Sequence, residues 1–170
     1  MGKYEVTQAE WEVVMGKAPS SFKSCGDNCP VEQVSWNDIQ TFLQKLSAKT
    51  GKVFRLPADD EWEYSCLGGR SDMWTNPMYC GSDESFDTVA WISLNSNDTT
   101  HPIGQKQANG YGLFDMSGNV WEWTSDCYSN GCVIRGGGFG ENKQYVKFKS
   151  HIYQGDSKSF IGFRLARTLP

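Results

Sequence analysis

No stretch of this 170-residue chain approaches the roughly 18 consecutive apolar residues of a transmembrane helix, so none reads as membrane-spanning. A secretory leader is missing too: Met1-Gly2-Lys3 runs straight into YEVT, which reads as a strand. Either the protein is cytosolic or an export signal lies outside this sequence. There is no HExxH, no phosphate-cradling glycine loop and no legible nucleophile–base pair, and the two histidines, His101 and His151, are far apart. A pI near 5.2 without a nucleic-acid motif argues against nucleic-acid binding. Repeats, low-complexity tracts and linkers are also absent, so residues 1–170 read as one domain.

What is present points to a packed globule: 38% hydrophobic residues, with seven tryptophans. The net charge of −4 conceals an asymmetry. Residues 1–132 hold 9 Lys and Arg against 18 Asp and Glu, whereas residues 133–170 hold 7 against 2. Either the two parts neutralise each other across the fold or the C-terminal part forms a basic face. The six cysteines fall into three close pairs: Cys25 and Cys29, Cys66 and Cys80, Cys127 and Cys132. Such pairs in small polar loops suit local disulfides, with reduced thiols and metal ligation as the alternatives. Disulfides would place the protein outside the cytoplasm, in a bacterial periplasm or at the cell surface.

Three helices are expected. TQAEWEVVMG carries a capping box, Thr7 with Glu10, and a stop at Gly16. SWNDIQTFLQKLSAKTG pairs Ser35 with Asp38, places Trp36, Ile39, Phe42, Leu43 and Leu46 on one face, and closes at Gly51. LPADDEWEYSCLGG begins a shorter helix near Pro57 and turns Trp62 and Cys66 inward. Residues 68–120 are loop-rich, and the strands expected after them are VWEWTSD, CVIRGG, YVKFKSHIY and IGFRLAR. The fold class is α+β. In YVKFKSHIY, alternation sends Val146, Phe148, Ser150 and Ile152 inward and Tyr145, Lys147, Lys149, His151 and Tyr153 outward.

YEVTQAEWEVVMG, PVEQVSWNDIQTFLQKL, FRLPADDEWEYSC, HPIGQKQANGYGLFDMSGNVWEWTSD, RGGGF and IGFRLAR occur in an order and spacing that resemble the formylglycine-generating enzyme (sulfatase-modifying factor) domain family. The resemblance covers nearly the whole chain. It implies a C-type lectin-like fold, loop-rich with few short strands and two to three helices, lacking a strand or two before MGKYEVT. The family's oxidases hold copper(I) with two cysteines, and those positions fall on Glu141 and Val146 here; the Ser that precedes them is Gly138. Soft thiolates are what that ion requires, so no copper site is expected. By the same resemblance FDMSGNVWEW is a structural Ca2+ loop, with ligands from the side chains of Asp115 and Glu122 and the carbonyls of Gly118 and Val120.

The variable proteins of diversity-generating retroelements resemble this family and carry their hypervariable residues in the segment between RGG and GFRLAR. Their adenine-rewritten codons permit Gly140, Asn142, Tyr145, Phe148, His151, Tyr153, Gly155, Asp156, Ser159 and Phe160, while the interspersed Lys, Gln and Glu would be fixed or differently coded. The reading that follows is a non-catalytic domain that binds a protein or glycan through residues 138–160. Phe139, Asn142, Tyr145, Lys147, Lys149, His151 and Tyr153 are its expected contacts. The competing reading is a sulfatase-modifying type of enzyme with an altered site.

Overall fold

A computed structural model of the chain describes residues 1–70, 79–80, 85–147 and 150–168. Helix α1 (Gln8–Met15) starts where Thr7 Oγ1 accepts the Glu10 N–H and Glu10 Oε2 accepts the Thr7 N–H, and it ends at left-handed Gly16. Helix α2 (Trp36–Thr50) repeats the device with Ser35 and Asp38 and stops at left-handed Gly51. Each box satisfies backbone donors that a helix start otherwise leaves unpaired. Helix α3 (Asp59–Leu67) is capped from within, the Ala58 N–H donating to Glu61 Oε2 at 2.9 Å. A fourth helix, α4 (Phe86–Val89), is a single turn inside the loop-rich stretch, one more than expected.

The sheet contains β1 (Trp121–Tyr128), β2 (Gly131–Arg135), β3 (His151–Gln154) and β4 (Ile161–Gly162), ordered β3-β2-β1-β4. The β1–β2 and β2–β3 pairs are antiparallel, and β4 runs parallel to β1. Three expected strands are corrected. IGFRLAR keeps only Ile161–Gly162 as strand, with an isolated bridge from Ala166 to Arg55. YEVT forms only an isolated bridge, Thr7 to Pro30. YVKFKSHIY becomes strand only from His151, because residues before it close turns: the Tyr145 N–H donates to the Asn142 carbonyl and the Ser150 N–H to the Lys147 carbonyl. Of the expected parity, Val146 is buried and Tyr145, Lys147, His151 and Tyr153 are exposed, whereas Ser150 and Ile152, expected inward, are only half-buried. Phe148 and Lys149 lie outside the described residues.

The main core lies between α1, α2 and the sheet. Trp11 stacks on Phe42 at 5.0 Å, and Phe163 meets both rings edge-on. Ile39, Leu56, Trp121, Trp123, Ile134 and Ile161 complete it. A second cluster joins Trp62, Cys66, Cys80, Leu113 and Met116, and a third joins Tyr79, Val89, Ala90, Ile92 and Val146. Burying rings of this size is the dominant favourable contribution to folding. All six cysteines form disulfides in the pairs expected from spacing, Cys25–Cys29, Cys66–Cys80 and Cys127–Cys132. Three such bonds point to folding in an oxidising, extracytoplasmic compartment. Among the described residues, no helix is long and apolar enough to cross a membrane.

Candidate functional site

Two regions carry the residues singled out by sequence. The first is the turn from Asp115 to Glu122. Asp115 and Asn119 adopt left-handed φ values of 54° and 61°, uncommon for residues with a side chain. Gly118, at φ 81°, has no alternative: a Cβ there would collide with the Trp91 carbonyl. This path brings Asp115, Glu122 and Glu5 together with Arg164, all four at most 2% exposed. Arg164 grips Glu122 through two nitrogens at 2.6 and 2.5 Å, and the Trp62 indole N–H donates to the same carboxylate at 2.7 Å. Arg164 also donates to the carbonyls of Gly2 and Phe114. Glu5 accepts from Asn119 Nδ2 at 2.7 Å and from the Val120 N–H at 3.2 Å, and Asp115 accepts from the Gly104 N–H at 2.7 Å.

One guanidinium faces three carboxylates, so the cluster is short of positive charge. Burial, then repulsion from Asp115 and Glu122, pushes the Glu5 carboxyl well above the usual range. Burial likewise raises Asp115 to about 6, against opposing help from the Gly104 N–H and Arg164. Among the described residues, neither the Gly118 nor the Val120 carbonyl accepts a hydrogen bond, although both residues are buried. Unpaired buried carbonyls beside excess carboxylate charge are the donor set that a hard divalent cation prefers. Asp115, Gly118 and Val120 offer oxygen donors of the kind Ca2+ takes, whereas both Glu122 oxygens are already engaged by Arg164 and Trp62, and among the described residues no group of three or more acidic, His or Cys side chains is placed to hold a metal.

The second region is the C-terminal segment. The two positions where thiols would stand in an oxidase carry none. Glu141 is half-buried and accepts the Trp121 indole N–H at 3.2 Å. Val146 is fully buried in the third cluster, where it closes against Gly137. Among the expected contacts, Asn142, Tyr145, Lys147, His151 and Tyr153 are exposed. Phe139 is corrected: it is buried, its ring edge-on to Phe22 at 5.0 Å and its carbonyl accepting from Ser96 Oγ, so it supports the surface from beneath. Lys149 lies outside the described residues.

Sequence reasoning missed Tyr128. It is 59% exposed at the β1–β2 hairpin and meets Tyr153 edge-on at 5.8 Å, while Tyr153 meets His151 in the same way. The signal was its place opposite Gly131, where the absent side chain lets the Gln154 backbone approach. His101 stands apart from this surface, stacked on Trp91 at 3.7 Å with Nε2 held 2.8 Å from the Ser96 carbonyl.

The basic excess after residue 133 divides in two. Arg135 and Arg164 turn inward, Arg135 to Asp59 and Glu63 of α3 and Arg164 to Glu122. Lys143, Lys147, Lys158 and Arg167 are exposed, with Asp156 the exposed acid among them, and Lys149 lies outside the described residues.

The sulfatase-modifying factor enzyme 1-like domain (FGE-sulfatase) profile matches residues 1–169. The chain belongs to this family. It is 32% identical over 180 residues to the chaperone protein LppX of Paenibacillus barcinonensis, covering 76% of this chain and 62% of that protein. It is 35% identical over 133 residues to the formylglycine-generating enzyme of Mus musculus, covering 73% of this chain and 34% of the enzyme. The chain thus spans between a third and two thirds of the length of these relatives. Its fold is similar to that of Treponema denticola variable protein 1, with a TM-score of 0.87, 27% identity, and 96% of this chain and 84% of that one covered. These similarities place the chain in the C-type lectin-like group of the formylglycine-generating enzymes.

Proposed function

We propose that this FGE-family domain is a non-catalytic binding module. Its contact surface is built by Asn142, Tyr145, Lys147, His151 and Tyr153 of segment 138–160, with Tyr128 beside them. The observation that carries the reading is the state of the two thiol positions: Glu141 is tied to an indole N–H and Val146 is interred in a core. Every cysteine is consumed in a disulfide, so no thiol is left to bind copper(I). Exposed tyrosines supply large contact area at low entropic cost. A chaperone and a variable protein among the similar proteins are compatible with a binding role. The ligand is a protein or a glycan, and segment 138–160 is read as a hypervariable stretch rewritten by a retroelement.

Ca2+ enters as a structural ion. The carboxylate of Asp115 and the carbonyls of Gly118 and Val120 would hold it, with Glu122 joining by giving up one of its bonds to Arg164, and its charge would offset the excess carboxylate there. The protein fold would be kept in a compartment that supports disulfides, a bacterial periplasm or cell surface.

The test is a protein and glycan array probed with wild type, Tyr145→Ala and Tyr153→Ala, run beside a formylglycine assay with copper and a cysteine-containing sulfatase peptide. Binding that falls at least about tenfold in the variants, with no turnover, is expected. Turnover to formylglycine would reverse the conclusion.

A further inference from the structure

A cleft of about 520 Å3 opens between helix α3 and the residues around Ala166 and Arg167, and no residue of segment 138–160 lines it. Helical spacing brings Asp60 with Tyr64, and Glu61 with Ser65, to the side of α3 that forms one wall. Arg55 ties that wall to the other. Its backbone exchanges two hydrogen bonds with Ala166, at 3.0 and 2.8 Å, while its guanidinium grips Glu61 through two nitrogens and donates to Thr168 Oγ1. The cleft is therefore held in shape by bonds that need no ligand, and its volume is that of a small-molecule site.

The charges inside it are arranged unequally. Arg55 and Glu61 satisfy each other. Arg167 has no hydrogen-bond or ion-pair partner among the described residues, and Asp60 accepts only the Glu61 N–H, at 2.8 Å. Both side chains are exposed in the same cleft, yet no ion pair joins them. Tyr64, 63% exposed, adds an aromatic ring, held by the hydroxyl of Tyr111 donating to its own at 3.0 Å. An anion alone would meet Arg167 but be repelled by Asp60, and a cation alone would meet the reverse. A molecule that carries both charges satisfies both groups.

We propose that this cleft binds a small zwitterion of the amino-acid class, a free amino acid or a dipeptide with unblocked ends. Its carboxylate pairs with the planar fork of Arg167, its ammonium with Asp60, and its side chain packs on Tyr64. The proposal is independent of the surface on segment 138–160.

The probes are L-phenylalanine and glycyl-L-phenylalanine, titrated separately into the oxidised protein at pH 7 while NMR shifts are followed. At least one of them binds with a Kd of about 1 mM or tighter, with its largest shifts at Tyr64 and Ser65. The N-acetylated and the C-amidated forms of that probe, each lacking one charge, bind at least about tenfold more weakly. Asp60→Asn and Arg167→Gln, both at exposed positions, keep the thermal midpoint and weaken the probe to a similar degree. Neither variant changes capture on the protein and glycan arrays.

Absence of binding by both probes up to about 10 mM would overturn the proposal. So would equal binding of the singly charged analogues, or unchanged binding in the two variants. Array capture that falls with Arg167→Gln would assign the cleft to the partner surface and end its separate role. Loss of capture in Tyr145→Ala and Tyr153→Ala bears only on segment 138–160, so the two readings stand or fall apart.

Discussion

Arg164→Met is the most exacting perturbation of the buried cluster. The wild-type guanidinium is fully buried and holds Glu122 through two short bonds, with Glu5 and Asp115 close enough to raise its own pKa. Methionine fills much of the same volume without the charge. Glu122 then keeps only the Trp62 N–H, and the carbonyls of Gly2 and Phe114 lose a donor. Breaking a buried pair from one side costs about 3–5 kcal/mol, because the remaining charge stays desolvated and unpaired. For a domain of this size that lowers Tm by roughly 6–20 °C.

Urea unfolding of the oxidised, chelated protein at pH 7 gives the number, through a lower midpoint at unchanged m-value. A double-mutant cycle isolates the pair: Arg164→Met with Glu122→Met removes both charges and is less damaging than Arg164→Met alone. The pH response gives a further signature. Carboxyls held above their unfolded pKa bind more protons when folded, so stability is regained as pH falls from 7 towards 5. A loss below about 1 kcal/mol, or a double variant no better than the single one, would refute the reasoning that these carboxylates depend on one guanidinium.

Three other outcomes follow from the structure. In chelated wild type, Asp115, moved from 3.8 to about 6, lowers stability at neutral pH by roughly 3 kcal/mol, a penalty that grows as pH rises through that window and is absent below it; a flat pH profile of urea midpoints between 4 and 7 contradicts this. Adding Ca2+ at about a hundred times its Kd raises stability by about 2.7 kcal/mol, and excess EGTA reverses the gain in calorimetry; an unchanged transition removes the ion from the account. Cys66→Ser with Cys80→Ser, opening a link between residues 14 apart, costs about 3 kcal/mol in urea unfolding. A thiol dye should meanwhile find no free thiol in denatured, unreduced wild type.

Local signals were readable in the sequence, and contacts between distant parts of the chain were not. Thr7 with Glu10 and Ser35 with Asp38 declare their helices because each box acts over three residues and needs nothing else. The spacing of the cysteines disclosed their pairing for the same reason. YVKFKSHIY misled as to strand length because its alternation of apolar and polar residues is satisfied equally by turns that bury Val146 and expose Tyr145 and Lys147. Glu5 gave no sign of joining Asp115 and Glu122. That encounter depends on the N-terminal segment lying alongside the chain near Phe163, where the Val6 N–H donates to its carbonyl. Tyr128 was hidden because CYSNGC invites attention to its sulfurs.

The fate of the C-terminal charges explains how a surface could change while its frame persists. Arg135 stands just before the glycines that open segment 138–160, and Arg164 stands just after Ile161–Gly162 closes it. Both side chains turn away from solvent onto carboxylates supplied by other parts of the chain, Asp59 and Glu63 for the first and Glu122 for the second. Bidentate pairing fixes position as well as charge, so each end of the segment is pinned independently of the residues between. Phe139 and Val146 add apolar anchors inside it. Asn142, Tyr145, Lys147 and Tyr153 have no comparable structural duty: their exposed side chains leave the anchors intact when altered, and substitutions at such positions usually change stability by less than about 0.5 kcal/mol. A binding site placed between two buried arginines can therefore be rewritten at its exposed positions without refolding the domain, whereas replacing either arginine should disturb every variant alike.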